Sequence, residues 1–429
     1  MRFSFKQAGI PQGEYENYKE VVTPYIFRLQ KISQSGSYAE PESSICLVSD
    51  ESILAKAREV YKDKVGKPLK YVAVVGIGGS NLGTMAVYEA TVGYNLSLRE
   101  DKNPRVIFFD NSDERFASLA LEHILKNTDN HKEIVVVIIS KSGGTVETMA
   151  NAEYLIQNLR GKFPQIEERM IVVTDDGNLL QKRASNLGIT NLSVPVSVGG
   201  RYSVFSADGL TPLVFAGADI SAFTKGALEM REACLSSDLD ENPAFRGAVF
   251  LAYWYGRGKI IHDVFSFVPE LEVLGKWYRQ LLGESIGKSE DIGISPTVSI
   301  GSADLHSVGQ LNLGGPKNKT TLFIENSAKI NGENIENSDI LGQNIDFIKG
   351  KSLSDIMQAL TSGAMMAYES NGLSFAEVFF DGISEEEIGA FMEWKMIETM
   401  ILGNILGVNA FDQPAVESYK KETERILKK

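Results

Sequence analysis

The sequence predicts an α/β protein: two doubly wound α/β/α sandwich domains with mainly parallel sheets, flanked by helical N- and C-terminal segments. Three observations predict it. Short, continuous β-branched runs recur in two series, helix-length segments separate them, and turns rich in glycine and serine follow several of the runs directly. These runs lack the alternation of a half-exposed strand. Both faces of each strand are therefore covered, as in a parallel sheet with helices on either side.

Residues 1–66 are polar and mixed, with an amphipathic helix expected over Asp50–Lys62 and no strand-like run. They read as a helical lead-in. The first series is Tyr71–Val75, Arg105–Phe109, Ile134–Ile139 and Met170–Val173, which places a first domain over 67–215. A mostly helical stretch runs from Ala207 to Gly256, its part at 216–256 serving as a connector. The second series, Ile260–Val268, Thr297–Ile300, Thr320–Ile324 and Phe375–Phe380, gives a smaller parallel sheet over 257–383. Residues 384–429 read as two helices, Ser384–Leu406 and Pro414–Leu427, joined by Gly407–Gln413. Ile388, Met392, Met396 and Met400 repeat along the first of them as a core-packing stripe.

Composition narrows the function. The chain has 429 residues, and its 43 Lys and Arg against 56 Asp and Glu give a net charge of −13. That sign repels phosphodiester backbones and anionic lipid, so neither nucleic acid nor a membrane surface is an expected partner. No apolar run approaches the ~18 residues of a membrane span, and the N-terminus lacks the apolar core of a signal peptide. A cytoplasmic location is expected. Cys46 and Cys234, far apart in sequence, read as reduced thiols.

Ligands of doubly wound sheets bind beyond the carboxyl ends of the strands, which directs attention to the turns after them. Gly76-Ile-Gly-Gly-Ser-Asn-Leu-Gly83 begins like a dinucleotide fingerprint, but Asn81 stands where the third glycine belongs, and the lysine of a P-loop is missing. Its glycines and Ser80 fit either an anion-binding helix start or a tight turn without ligand. Ser140-Lys-Ser-Gly-Gly-Thr-Val-Glu-Thr148 follows the most apolar run in the chain. Ser140, Ser142, Thr145 and Thr148 bring four hydroxyls to a helix start, more than helix capping needs and suited to a phosphate monoester.

Other candidates are ambiguous when read alone. Glu284, with Gln280 and Lys288 one turn to either side, has the pattern of a solvated ion-pair face. His306 is one of four histidines, with His123, His131 and His262, each compatible with a surface or satisfied core imidazole. Arg201 and Lys420 have the look of solvated cations. No histidine is spaced with another ligand type as a metal site requires, so no metal is expected.

Taken together, six segments in order resemble the glucose-6-phosphate isomerase (phosphoglucose isomerase) family of the sugar-isomerase (SIS) fold: Gly76–Ser80, Ser140–Thr145, Val198–Ser203, Gly283–Lys288, Asp304–Gln310 and Phe411–Lys420. The resemblance covers about residues 70–421. It implies reversible isomerisation of glucose 6-phosphate and fructose 6-phosphate, in glycolysis and gluconeogenesis, through ring opening and a cis-enediolate. It further implies that Glu284 is the base shuttling a proton between C1 and C2, and that Arg201 stabilises the enediolate. His306 and Lys420 would be the ring-opening pair, Ser140, Ser142, Thr145 and Thr148 the phosphate site, and Gly79, Ser80, Gln280 and Gln413 the lining of the sugar. The family's histidine reaches the site from the neighbouring subunit, which implies a homodimer, and no metal or organic cofactor is expected.

These residue types suit that chemistry. One carboxylate over one face of an open-chain sugar removes and returns the proton, and a fixed guanidinium meets the charge that builds on the enediolate oxygens. Three positions depart from the family pattern: Ala415 where glycine is usual, Asp208 where an apolar residue is usual, and Val196 where a polar one is common. Alanine at 415 requires a right-handed or extended backbone there. A sugar-phosphate sensor on the same fold would need the hydroxyl-rich turn but not Glu284, His306 or Lys420. A nucleotide-dependent dehydrogenase would need the glycine that Asn81 replaces, and action on mannose 6-phosphate as well remains open.

Overall fold

The computed structural model describes residues 1–65, 68–94, 104–328, 332–336, 341 and 345–429. Its strands are β1 (Arg2–Ser4), β2 (Tyr71–Val75), β3 (Arg105–Phe109), β4 (Ile134–Ile139), β5 (Met170–Asp175), β6 (Thr190–Val194), β7 (Ile261–Ser266), β8 (Ser295–Ile300), β9 (Lys319–Asn326) and β10 (Phe375–Phe380). They form two five-stranded sheets, ordered β3-β2-β4-β5-β6 and β1-β10-β9-β7-β8. Among the described residues, every pairing between these strands is parallel except that of β1 with β10. All residues of β2 and β4 are buried, as their unbroken apolar runs require.

Two strands escaped the sequence reading. Arg2–Ser4 opens the stretch expected to be wholly helical, and pairs antiparallel with Glu377–Phe379 at the edge of the second sheet. Three residues without a continuous apolar run carry no periodic signal, and their partner lies at the far end of the chain. Thr190–Val194 is the opposite kind of edge, a strand with one neighbour whose burial is uneven. The boundary expected at 66–67 lies outside the described residues.

The expected helices form at Glu51–Lys64, capped by the Asp50 side chain, and at Ala207–Ala216, Ile220–Cys234 and Pro243–Tyr255. The helix Glu385–Leu406, capped by Ser384, runs through the interior. Ile388, Met392, Met396 and Met400 are all buried on it, but so are Glu393, Lys395, Glu398 and Thr399. It is enclosed on all sides, packing on the helices 220–234, 243–255 and Glu272–Ile286. One apolar core draws residues from both sheets and from these helices.

Parallel register decides where chemistry can occur. Val75 of β2 stands opposite Ile138 of β4, so the turns that follow the two strands emerge side by side. A Cβ on Gly76 would lie 3.3 Å from the Ile139 carbonyl. The two turns singled out in the sequence are thus neighbours at one end of the first sheet.

Candidate active site

The helix Glu272–Ile286 buries Leu274, Tyr278, Leu281, Leu282 and Ser285 and turns Gln280 and Glu284 outward. Its buried face is tied down where the Tyr278 hydroxyl donates to Glu398 Oε1 at 2.7 Å, the other oxygen of Glu398 accepting from Lys395 at 2.9 Å. On the outward face Gln280 Nε2 donates to Glu284 Oε1 at 2.9 Å, an i, i+4 contact.

Arg201 sits on the turn Gly200–Tyr202 and is buried, contrary to the solvated cation it resembled in isolation. Its Nε donates to Ser285 Oγ at 2.8 Å, and Nη1 to Glu284 Oε2 at 3.1 Å and Gln413 Oε1 at 2.9 Å. Nη2 donates to the carbonyls of Ala410 at 2.7 Å and Asp412 at 3.1 Å. A guanidinium has five N–H donors, so all are engaged. Of these partners Gln413 is the exposed side chain, and so the one an incoming oxygen can replace most readily.

The glycine turn closes against this group. A Cβ on Gly79 would lie 2.3 Å from the Gly200 carbonyl carbon and 2.5 Å from the Arg201 nitrogen. Gly78 adopts φ +58 beside Gln280 Nε2. Asn81, where a dinucleotide site needs glycine, is buried and donates from Nδ2 to the Gly76 carbonyl at 3.2 Å. The turn is thereby closed on itself. Ser80, partly buried, ends it.

Next to it stands the hydroxyl-rich turn. Thr145 occupies the N-cap position of the helix Val146–Lys162, yet its side chain accepts no cap hydrogen bond. Ser140 Oγ donates to Thr145 Oγ1 at 3.3 Å, Ser142 Oγ accepts from the Gly144 nitrogen at 3.3 Å, and the buried Thr148 Oγ1 has no hydrogen-bond partner among the described residues. Capping therefore does not account for these hydroxyls. With the helix N-terminus they make a neutral donor set for an anion.

A pocket opens beside Glu284, lined by Gly283, Gly287, Lys288, Gln413, Pro414, Ala415 and Val416. Lys288 clamps its rim, donating to the Glu284 carbonyl at 2.9 Å and to Asp412 Oδ1 at 3.0 Å. Ala415 has φ −66 and ψ −27, a right-handed conformation that alanine takes without strain. Glycine is not required there. Lys420 follows Val416 by one turn on the exposed helix Val416–Leu427, where Nζ donates to Glu417 at 2.8 Å. His306 is exposed in the turn Ala303–His306 after β8, on the second sheet.

Gly79, Arg201, Gln280, Glu284 and Gln413 are thus brought together, with the four hydroxyls on the adjoining turn. No hydrogen bond among the described residues joins His306 or Lys420 to this group. Sequence reasoning missed Ser285 and the carbonyls of Ala410 and Asp412. Ser285 adjoins Glu284 in a motif already recognised, but backbone acceptors leave no trace in residue identity. Among the described residues, no group of three or more His, Cys, Asp or Glu is placed to hold a metal ion, and no helix is long and apolar enough to cross a membrane.

The model of the phosphoglucose isomerase family matches residues 50–429. The chain belongs to the phosphoglucose isomerase family. It is 34% identical over 421 residues to glucose-6-phosphate isomerase of Methanocaldococcus jannaschii, covering 97% of this chain and 99% of that one. Glucose-6-phosphate isomerase of Leptospira interrogans is 32% identical over 362 residues, covering 83% and 80%. The solved glucose-6-phosphate isomerase of Chlamydia trachomatis superposes with a TM-score of 0.80 at 21% identity, covering 99% of this chain and 88% of the other, and shares the fold. An E. coli tagatose-6-phosphate ketose/aldose isomerase, at TM-score 0.51 and 9% identity over 88% and 95% of the two chains, shares the sugar-isomerase architecture. As a phosphoglucose isomerase family member the chain is an isomerase, and the dehydrogenase reading falls with the closed glycine turn.

Proposed function

We propose that this isomerase interconverts glucose 6-phosphate and fructose 6-phosphate. The observation that carries the reading is Glu284, one oxygen on Gln280 and the other on Arg201, at the edge of an open pocket. The names of the relatives support the substrate.

In this reading the hydroxyls of Ser140, Ser142, Thr145 and Thr148 receive the phosphate, with Gly79, Ser80, Gln280 and Gln413 along the sugar. Glu284 takes the proton from C2 of the open-chain aldose and returns it to C1, both on one face, so one carboxylate serves both directions. The enediolate between the two steps is anionic, and the fixed charge of Arg201 stabilises it without a proton transfer of its own. His306 and Lys420 open the ring as donor and acceptor. Lys420 lies one helical turn beyond Val416, a lining residue of the pocket, and in this reading His306 enters from a second copy of the chain, so the working unit is a homodimer. The domain division at 67–215 and 257–383, a cytoplasmic location, a place in glycolysis and gluconeogenesis and independence of any cofactor belong to the same proposal.

The test is conversion of fructose 6-phosphate to glucose 6-phosphate by the full chain in excess EDTA, read through a coupled dehydrogenase, with Glu284→Gln alongside. Fast turnover by the native enzyme and none by the variant supports the reading. Sugar-phosphate binding without turnover in either protein would make the chain a sensor instead.

A further inference from the structure

The turn that carries Arg201 is held from behind by a buried carboxylate. Asp208 is buried in the first turn of the helix Ala207–Ala216. Its Oδ2 accepts from Ser203 Oγ at 2.6 Å and its Oδ1 accepts from Ser206 Oγ. Ser203 closes the turn Gly200–Tyr202, its nitrogen donating to the Gly200 carbonyl at 3.3 Å, with its hydroxyl 2.7 Å from the same oxygen. One hydroxyl has one proton, and a carboxylate is the stronger of its two acceptors. Gly209 allows the helix to press on this turn, since a Cβ there would lie 1.9 Å from the Val204 carbonyl oxygen.

A carboxylate without solvent is costly to bury and is kept when its hydrogen bonds are met. Burial pushes the Asp208 carboxyl up to about 6, while the two serine hydroxyls and the backbone at 208 and 209 draw it down. Lys141, on the hydroxyl-rich turn, lies within the field of Asp208. The cluster thus joins three pieces: the helix start, the turn of Arg201 and, through charge, the turn expected to receive phosphate.

We propose that Asp208 is a positioning residue for Arg201, its carboxylate fixing through Ser203 the turn that sets the guanidinium against Glu284. This rests on the reading of Arg201 as the cation that meets the enediolate. A shift of the turn by a few tenths of an ångström moves a charge that acts on the transition state, so the loss falls on kcat rather than on substrate binding.

The experiment compares Asp208→Val, Asp208→Asn and Ser203→Ala in the full chain. It records kcat and KM for fructose 6-phosphate, inhibition by the hydroxamate of a phosphorylated aldonic acid, which mimics the planar enediolate, and the thermal midpoint. For Asp208→Val and Ser203→Ala, kcat and hydroxamate affinity are expected to fall together by about tenfold with KM changed by less than about twofold, while Asp208→Asn recovers most of both. An unchanged kcat in Asp208→Val overturns the inference, as does a loss of kcat that follows only the thermal midpoint and leaves hydroxamate affinity intact. Arg201→Lys separates the two readings. If it lowers hydroxamate affinity while Asp208→Val does not, only the role of Asp208 falls. If Arg201→Lys leaves that affinity unchanged, the reading of Arg201 falls and this inference with it.

Discussion

Arg201 Nη1 lies 3.1 Å from Glu284 Oε2, and the same nitrogen donates to Gln413 Oε1 at 2.9 Å. The proposed base and the proposed oxyanion cation are therefore in contact before substrate arrives. Replacement of the Gln413 bond by a substrate oxygen leaves the guanidinium in place, which is the preorganisation that electrostatic catalysis requires.

Glu284→Gln retains the shape of the side chain and removes its basicity. Turnover is expected to fall by about a thousandfold or more, the usual weight of a general base, with KM changed little. Steady-state kinetics in both directions check this, and near-normal turnover would remove Glu284 from the role.

Gly79→Ala places a methyl 2.3 Å from the Gly200 carbonyl carbon and 2.5 Å from the Arg201 nitrogen. Backbone on both sides leaves no flexible group to yield, so a loss of about 1–3 kcal/mol is expected from overpacking, together with a larger loss of kcat from displacement of Arg201. Denaturant titration and kinetics on one preparation separate the two effects.

Thr148→Val tests the phosphate site. Thr148 Oγ1 is buried and makes no hydrogen bond among the described residues, so the substitution breaks none of these. Thermal stability should be unchanged or slightly higher, while KM for fructose 6-phosphate rises by about tenfold or more, the worth of a hydrogen bond to a charged group. An unaltered KM would place the phosphate elsewhere.

His306 is exposed, and among the described residues no hydrogen bond joins it to Glu284. If it serves the partner's site, mixing Glu284→Gln with His306→Ala chains under conditions of subunit exchange restores activity, because each mixed dimer contains one intact site. Absence of recovery in verified mixed dimers would assign His306 to its own chain or to no site.

Glu393, buried with neither oxygen hydrogen-bonded among the described residues, has its carboxyl pushed up to about 8 by burial, against the lowering influence of Arg231. Its value in the unfolded chain is about 4.3, so the folded state binds the extra proton between those limits and stability falls as pH rises through them. Glu393→Gln keeps the neutral shape at every pH. Its thermal midpoint should exceed that of the native chain by a margin that widens from about pH 5 and levels off above about pH 8. Melts across that range check the sign, and a constant difference would rule the group out.

By itself the sequence determined four parallel strands of each sheet, Thr190–Val194 and Arg2–Ser4 aside, the glycine and hydroxyl turns and the identities in the six motifs. Each is a local property: a run such as Ile134–Ile139 is apolar because both faces of its strand are covered, and the glycines of 76–79 stand where backbone approaches backbone. Tertiary structure alone decided that Arg201 is buried, since its neighbours in the chain do not reveal that carbonyls some 210 residues away accept its protons. It also decided that Arg2–Ser4 becomes a strand, that Ala415 needs no left-handed backbone and that Asp208 anchors two serines. The helix Glu385–Leu406 divides between the two. Its apolar stripe was readable as core, but only packing on every side could enclose Glu393, Lys395 and Glu398 as well. Periodicity records one face of a helix, and enclosure is a property of everything packed around it.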